Sequence, residues 1–188
     1  RGFPGSHSLD LLHQSLDVFL KTGILRSPTF DKSLRDGKGD RSGWCELKSK
    51  ILILEGWFVG CEPVSDLNNI DSLSEDKFNL SLSQDEKDYR SLIQESLIKY
   101  SKIWKKFDKI WHLKSSHFNN TILWKTQQEE EMIKIRGSGL KGNNLTDFIR
   151  MIQSSIPQQS LSFINADTTV QINQHRRIDK LLTTKYHF

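Results

Sequence analysis

The sequence predicts an α/β fold in which a parallel sheet carries helices on its faces. Three observations lead there. Short β-favouring runs at Ile51–Leu54, Ile110–Lys114 and Asp167–Asn173 are separated by stretches of helical period. The chain has 188 residues, 36% of them hydrophobic, which is enough to build a domain core. Charged residues make up 27%, an ordinary share for a globular chain, whereas disorder needs fewer apolar residues.

In chain order, Ser8 is placed to cap a first helix with Leu9, Leu12, Leu16 and Phe19/Leu20 at helical spacing, and Gly23 is its stop. Residues 28–43 mix charges and glycines without an apolar period and read as a loop. Ile51–Leu54 is a continuous apolar run and reads as a strand buried on both faces. Residues 65–88, rich in Ser, Asp and Asn, read as an exposed connection. From Asp85 to Phe107, the residues Tyr89, Leu92/Ile93, Leu97, Tyr100, Trp104 and Phe107 form one helical stripe that suits a core face better than a ligand-stacking one. Ile110–Lys114 follows as a strand. A helix is expected from Thr121 to Ile135, stopped by the GSG of residues 137–139. Another is expected from Asn143/Asn144, capped by an Asn, to Ser154 ahead of Pro157. Asp167–Asn173 reads as a strand and the basic HRRIDKLL of residues 175–182 as a last helix.

Charge and composition exclude several classes. The net charge is +4, and the whole excess lies in residues 101–188, with fourteen basic against seven acidic side chains. No pattern of an RNA-recognition motif, KH domain or zinc finger accompanies that excess, so nucleic acid is not expected, and the excess reads as a solvated face or as a site for a phosphorylated small molecule. No run of about 18 apolar residues is present, and no membrane partner is expected. Cys45 and Cys61 are too few for a disulfide framework and fit a reducing, cytoplasmic setting.

Three segments carry candidate chemistry. Glu55 follows the expected strand directly and precedes Gly56. In an open parallel sheet, ligands bind beyond the carboxyl ends of strands, and an acid there suits Mg²⁺, held mostly through water. The alternative is an acid that caps a helix or pairs with a lysine. Lys32, Arg35, Lys38 and Arg41 sit among glycines and can converge on an anion, unless Asp31, Asp36 and Asp40 neutralise them internally. The opening RGFPGSH places Arg1, Ser6 and His7 just ahead of a helix N-terminus, which favours anions, although His7 is equally suited to a surface or capping role. The GSGLKG of residues 137–142 reads as a turn between helices, since no Lys-Ser/Thr follows it. The chain holds no G-x-x-x-x-G-K-[ST], no Cys/His metal cluster and no G-x-S-x-G.

Taken together, RGFPGSHSLDLL, FDKSLRDGKGDR and ILILEGWFVG followed by Pro63 resemble D-glycerate 3-kinase, a family of P-loop kinases related to uridine kinase, phosphoribulokinase and pantothenate kinase. SKIWKKFDKIW, WKTQQEEEMI and DFIRMIQSSIP continue the likeness to about residue 157. The resemblance implies a P-loop NTPase-type parallel sheet flanked by helices, forming one kinase domain over residues 1–188 and incomplete at its N-terminus. It implies phosphorylation of D-glycerate to 3-phosphoglycerate with ATP and Mg²⁺. Glu55 would stand near Mg²⁺ and the attacking hydroxyl. Arg1, Ser6, His7, Lys32 and Arg41 would line the acceptor site. Residues 121–142, with Trp124, Lys125, Gln128, Glu129 and Arg136, would form a lid over the phosphates. The family commonly has an arginine after that tryptophan, where this chain has Lys125, so charge is kept and bidentate geometry lost. Residues 175–177 would lie near the base. A start at Arg1 and the missing phosphate loop imply a fragment that is inactive by itself, with apolar sheet surface left exposed. A cytoplasmic or plastid role in photorespiration or glycerate salvage would follow. The competing readings are a kinase for a nucleoside or pantothenate, for which the DKS…GDR loop is the wrong kind, and a non-catalytic basic binding protein.

Overall fold

The computed structural model describes residues 2–64, 81–117, 119–162 and 164–184. The chain divides into two compact units, Arg1–Val59 and Gly60–Phe188.

The first unit is one helix and one hairpin. Helix α1 (Leu9–Thr22) starts at Ser8 and ends at Gly23, whose φ of 71° is the left-handed turn that stops a helix. Leu16 and Phe19 are buried on its inner face, and the Ser15 hydroxyl donates to the Arg26 carbonyl at 2.7 Å. That bond ties α1 to strand β1 (Ile24–Asp31), which pairs antiparallel with β2 (Asp40–Lys48). Much of the segment expected to be a loop is therefore hairpin, and only residues 32–39 form its tip. Cross-strand pairing decides this where periodicity is silent: Pro28 sits opposite Trp44, and Arg26 lies 5.0 Å over the Trp44 ring.

Ile51–Leu54 is not a strand. It has no β pairing, and Ile51 and Ile53 are 75% and 85% exposed. An apolar run becomes a strand only where neighbouring backbone groups pair with it, and none of the described residues does so here.

The second unit packs helices on a mixed sheet. Helix α2 (Gln84–Trp104) opens with a capping box in which Ser83 accepts from the Glu86 amide and Glu86 accepts from the Ser83 amide. Residues 84–88 are thus helical and not part of a connection, and residues 65–80 lie outside the described residues. Its buried face is Arg90, Ile93, Leu97, Tyr100, Ile103 and Trp104, while Tyr89 and Leu92 of the expected stripe stay exposed. Strand β3 (Trp111–Ser115) pairs in parallel with β4 (Thr168–Ile172), and β4 pairs antiparallel with β5 (Ile178–Thr183). The order is β3-β4-β5, so the sheet is mixed and not wholly parallel. Helices α3 (Asn119–Arg136), α4 (Gly142–Ser155) and the short α5 (Gln158–Ser162) lie between β3 and β4 in sequence.

Two expectations fail here. The N-cap of α4 is Lys141, without a side-chain bond, and not an Asn. The last helix is strand β5. Asn173 turns the chain after β4: its side-chain oxygen accepts from the His175 and Arg177 amides, and Arg176 takes a φ of 59°. A turn of this kind sends the chain back along β4, where a helix cannot pair. The C-terminus of α4 is closed by the buried Arg90, which donates to the Ser154 carbonyl at 2.7 Å and the Gln153 carbonyl at 3.3 Å. A cation there also meets the negative end of the helix dipole.

Candidate functional site

The opening loop is a tight turn held by aromatic rings. Phe3-Pro4-Gly5-Ser6 closes with both the Ser6 amide (3.0 Å) and the Ser6 hydroxyl (2.7 Å) donating to the Phe3 carbonyl. Proline second and glycine third, with Gly5 at φ 89°, is what a type II turn demands. The Trp57 indole donates to the Gly2 carbonyl at 2.7 Å, and its ring meets Phe3 edge-on at 5.4 Å. Phe58, edge-on to Trp57 at 5.5 Å, lies 5.9 Å from the His7 ring. Partial loss of water around His7 lowers its pKa below the ordinary histidine value, which favours the neutral imidazole. Arg1 lies outside the described residues.

Glu55 stands two residues before Trp57, exposed and with no hydrogen bond or ion pair among the described residues. It ends an unpaired segment and not a strand. A free hard oxygen of this kind fits Mg²⁺, which needs few protein ligands when water and phosphate supply the rest. No group of three or more His, Cys, Asp or Glu side chains that could hold a metal by themselves occurs among the described residues.

The hairpin tip carries the cations. Asp31 accepts from both the amide and the hydroxyl of Ser33, and these bonds hold its carboxyl below the usual range. Arg35 and Asp36 have φ of 54°, Gly37 79° and Gly39 82°, so four of eight tip residues are left-handed. At Gly39 an added Cβ would stand 2.5 Å from the Phe30 ring, so only glycine fits. Arg35 pairs with Asp40 at 3.0 Å. Lys32, Lys38 and Arg41 are exposed and have no ion pair among the described residues. Internal neutralisation therefore consumes one of the four cations of this loop.

In the second unit, the residues of α3 are committed to one another. Lys125 forms an ion pair with Glu129 one turn on, reaches Gln128 Oε1 at 3.4 Å, and lies 4.8 Å over the Phe148 ring. Glu129 is only 4% exposed, and its other oxygen accepts from the Leu140 amide at 2.8 Å. The Lys125 bond first, then the Leu140 amide, lowers its pKa. The GSG turn makes this possible: Gly139 comes within 3.1 Å of Glu129 at its Cβ position. Residues 137–141 thus fold over the carboxylate in the connection between α3 and α4. Arg136 is exposed at the end of α3, away from this cluster by more than a turn of helix. Trp124 donates from its indole to the Gln174 carbonyl at 2.8 Å, and Arg176 lies 5.8 Å over its ring, so α3 is fastened to the β4–β5 turn.

The sequence reading missed the buried state of Glu129 and the part of Arg90 in closing the C-terminus of α4. The i,i+4 spacing of Lys125 and Glu129 was the available signal for the first; nothing local marks the second. Cys61 is fully buried, and burial followed by the nearby Glu62 pushes its thiol up to about 12, which excludes a thiolate nucleophile.

No family model matches the chain. Among solved structures, D-glycerate 3-kinase from Cryptococcus neoformans var. grubii superposes with a TM-score of 0.83 at 24% identity, covering 98% of this chain and 69% of that one. The chain has the glycerate-3-kinase-like fold. The protein designated YGR205w shares it with a TM-score of 0.70 at 24% identity, over 100% of this chain and 68% of that one. In sequence, the chain is similar to the protein of Saccharomyces cerevisiae named "Probable ATP-dependent kinase TDA10", at 26% identity over 89% of its residues. It spans 58% of that relative's length. The expected resemblance in fold to D-glycerate 3-kinase thus stands, and with it the α/β class. No helix among the described residues is long and apolar enough to cross a membrane.

Proposed function

We propose that the protein is an ATP-dependent small-molecule kinase whose acceptor is D-glycerate, with 3-phosphoglycerate as product. The observation that carries this reading is the join between Glu55 and the opening loop: one indole, two residues from a free carboxylate, grips the turn that presents Ser6 and His7. The likeness in fold to a D-glycerate 3-kinase supports the acceptor class.

Phosphoryl transfer asks a protein mainly for positioning and charge neutralisation. Glu55 would accept a hydrogen bond from the attacking hydroxyl and offer one oxygen to Mg²⁺. When bound, Mg²⁺ supplies charge neutralisation at the phosphate oxygens. Lys32 and Arg41, two of the hairpin's cations without an ion pair among the described residues, together with Arg1, suit the acceptor carboxylate, and Ser6 and His7 suit its hydroxyls. Helix α3 with the turn after it, residues 121–142, would be the lid. Arg136, which has no ion pair among the described residues, would offer its charge to the phosphates, while Lys125 and Gln128 would reach them by leaving Glu129.

The test is phosphorylation by the full-length protein with ATP and Mg²⁺, using D-glycerate, uridine and pantothenate in parallel. Turnover with D-glycerate that falls by about a thousandfold in Glu55→Gln is expected, the scale of losing a group that acts only on the transition state. Preference for uridine or pantothenate, or full activity in Glu55→Gln, would overturn the acceptor or the role of Glu55 respectively. No G-x-x-x-x-G-K-[ST] occurs in the 188 residues, so turnover by this chain alone is not expected, and ordinary turnover would refute that.

A further inference from the structure

We infer that Trp57 is a positioning residue that sets the acceptor loop in register with Glu55, an inference that rests on the kinase reading above. Residues 57 and 58 grip both ends of the loop. The Trp57 indole N–H holds the Gly2 carbonyl at 2.7 Å and its ring packs on Phe3 at 5.4 Å. Phe58 packs on Trp57 at 5.5 Å and on His7 at 5.9 Å. Between these grips, the Phe3-Pro4-Gly5-Ser6 turn is closed by its own two bonds to the Phe3 carbonyl, so the loop moves as one piece.

The burial pattern supports a positioning task over simple packing. Phe3 and Phe58 are buried, as core residues are, whereas Trp57 keeps 41% of its surface exposed. A tryptophan used only to fill space is a poor choice at a site this open, where its indole donor is the feature that a phenylalanine or leucine lacks. The backbone from Glu55 to Trp57 has no sheet partner among the described residues, where no β pairing includes residues 51–56. Without a ladder, the Trp57 indole bond to the Gly2 carbonyl links the Glu55 segment to a loop 55 residues away in sequence. Effective alignment of a carboxylate with a bound hydroxyl depends on shifts of an ångström or less, so a single pinning bond acts on the reaction through Glu55 without touching the substrate.

The experiment compares full-length wild type with Trp57→Phe, which keeps a ring and deletes the donor. Steady-state kinetics with ATP, Mg²⁺ and D-glycerate are read alongside thermal stability. Trp57→Phe is expected to lower kcat/KM for D-glycerate roughly five- to tenfold, the scale of one hydrogen bond. The KM for ATP should stay within twofold and thermal stability close to wild type, a split that a merely structural role would not produce. In a ¹⁵N-labelled sample, D-glycerate without ATP should shift the Trp57 indole N–H resonance. An active wild type with Trp57→Phe matching it for D-glycerate, or an indole resonance unmoved by saturating D-glycerate, overturns the role of Trp57 alone. An equal loss towards both substrates with a fall in stability also overturns it, in favour of packing. A wild type inactive on D-glycerate overturns the kinase reading and this inference together.

Discussion

At the hairpin, Lys32 in the tip and Arg41 at the start of β2 stand in solvent with no carboxylate attached among the described residues, although Asp31, Asp36 and Asp40 lie within ten residues of both. On α3, Lys125 has its charge spent on Glu129, which is buried and also holds the Leu140 amide. Backbone geometry makes the difference. In the hairpin, local turns aim Asp31 at the Ser33 amide and hydroxyl, and Asp40 at the Arg41 amide and Arg35. In the helix, an i,i+4 spacing places acid beside base with no choice of partner. A cation near acids in sequence is therefore available to a ligand only when the local turn spends those acids elsewhere.

Four outcomes would break or sharpen that contrast. Replacing both Lys32 and Arg41 by Ala should raise the KM for the acceptor about a hundredfold, the scale of two charge-assisted bonds, and leave thermal stability unchanged. A fall in stability without a kinetic effect would make the tip structural. Lys125→Met should do the reverse, costing about 1–3 kcal/mol in denaturant unfolding because Glu129 stays buried without its cation. Unchanged stability would free Lys125 for a purely ligand-binding role. Gly39→Ala should cost about 1–3 kcal/mol, since φ is 82° and the Phe30 ring must move. A crystal structure of that variant with the tip unaltered would refute the constraint.

The smallest effect concerns pH. Glu86 accepts two bonds from Arg150, at 2.6 and 2.7 Å, and these together with the Ser83 cap lower its pKa from 4.5 to about 2. A carboxyl depressed in the folded state adds stability that is present above pH 4.5 and lost as pH falls towards 2. Urea midpoints at pH 6 and pH 3 should therefore differ less in Arg150→Leu than in wild type. Equal differences would remove the pair from the pH response.

The amino-acid sequence by itself determined the features that depend on neighbours along the chain. Gly23 stops α1, Ser83 and Glu86 start α2, and the Phe3-Pro4-Gly5-Ser6 order makes its turn. Each is decided within a few residues by φ preferences and amides that need acceptors. The tertiary structure alone decided what depends on distant partners. Ile51–Leu54 has strand-forming residues and pairs with no strand among the described residues. The basic run at residues 175–182 has helical-looking spacing, yet Asn173 folds it back as β5 against β4. The candidate residues divide in the same way. Glu55, Lys32 and Arg41 could be singled out by type and setting. That Lys125 is occupied, that Glu129 is buried, and that Trp57 fastens the opening loop beside Glu55 are facts of packing, because a hydrogen bond or ion pair between remote segments leaves no local mark in the order of residues.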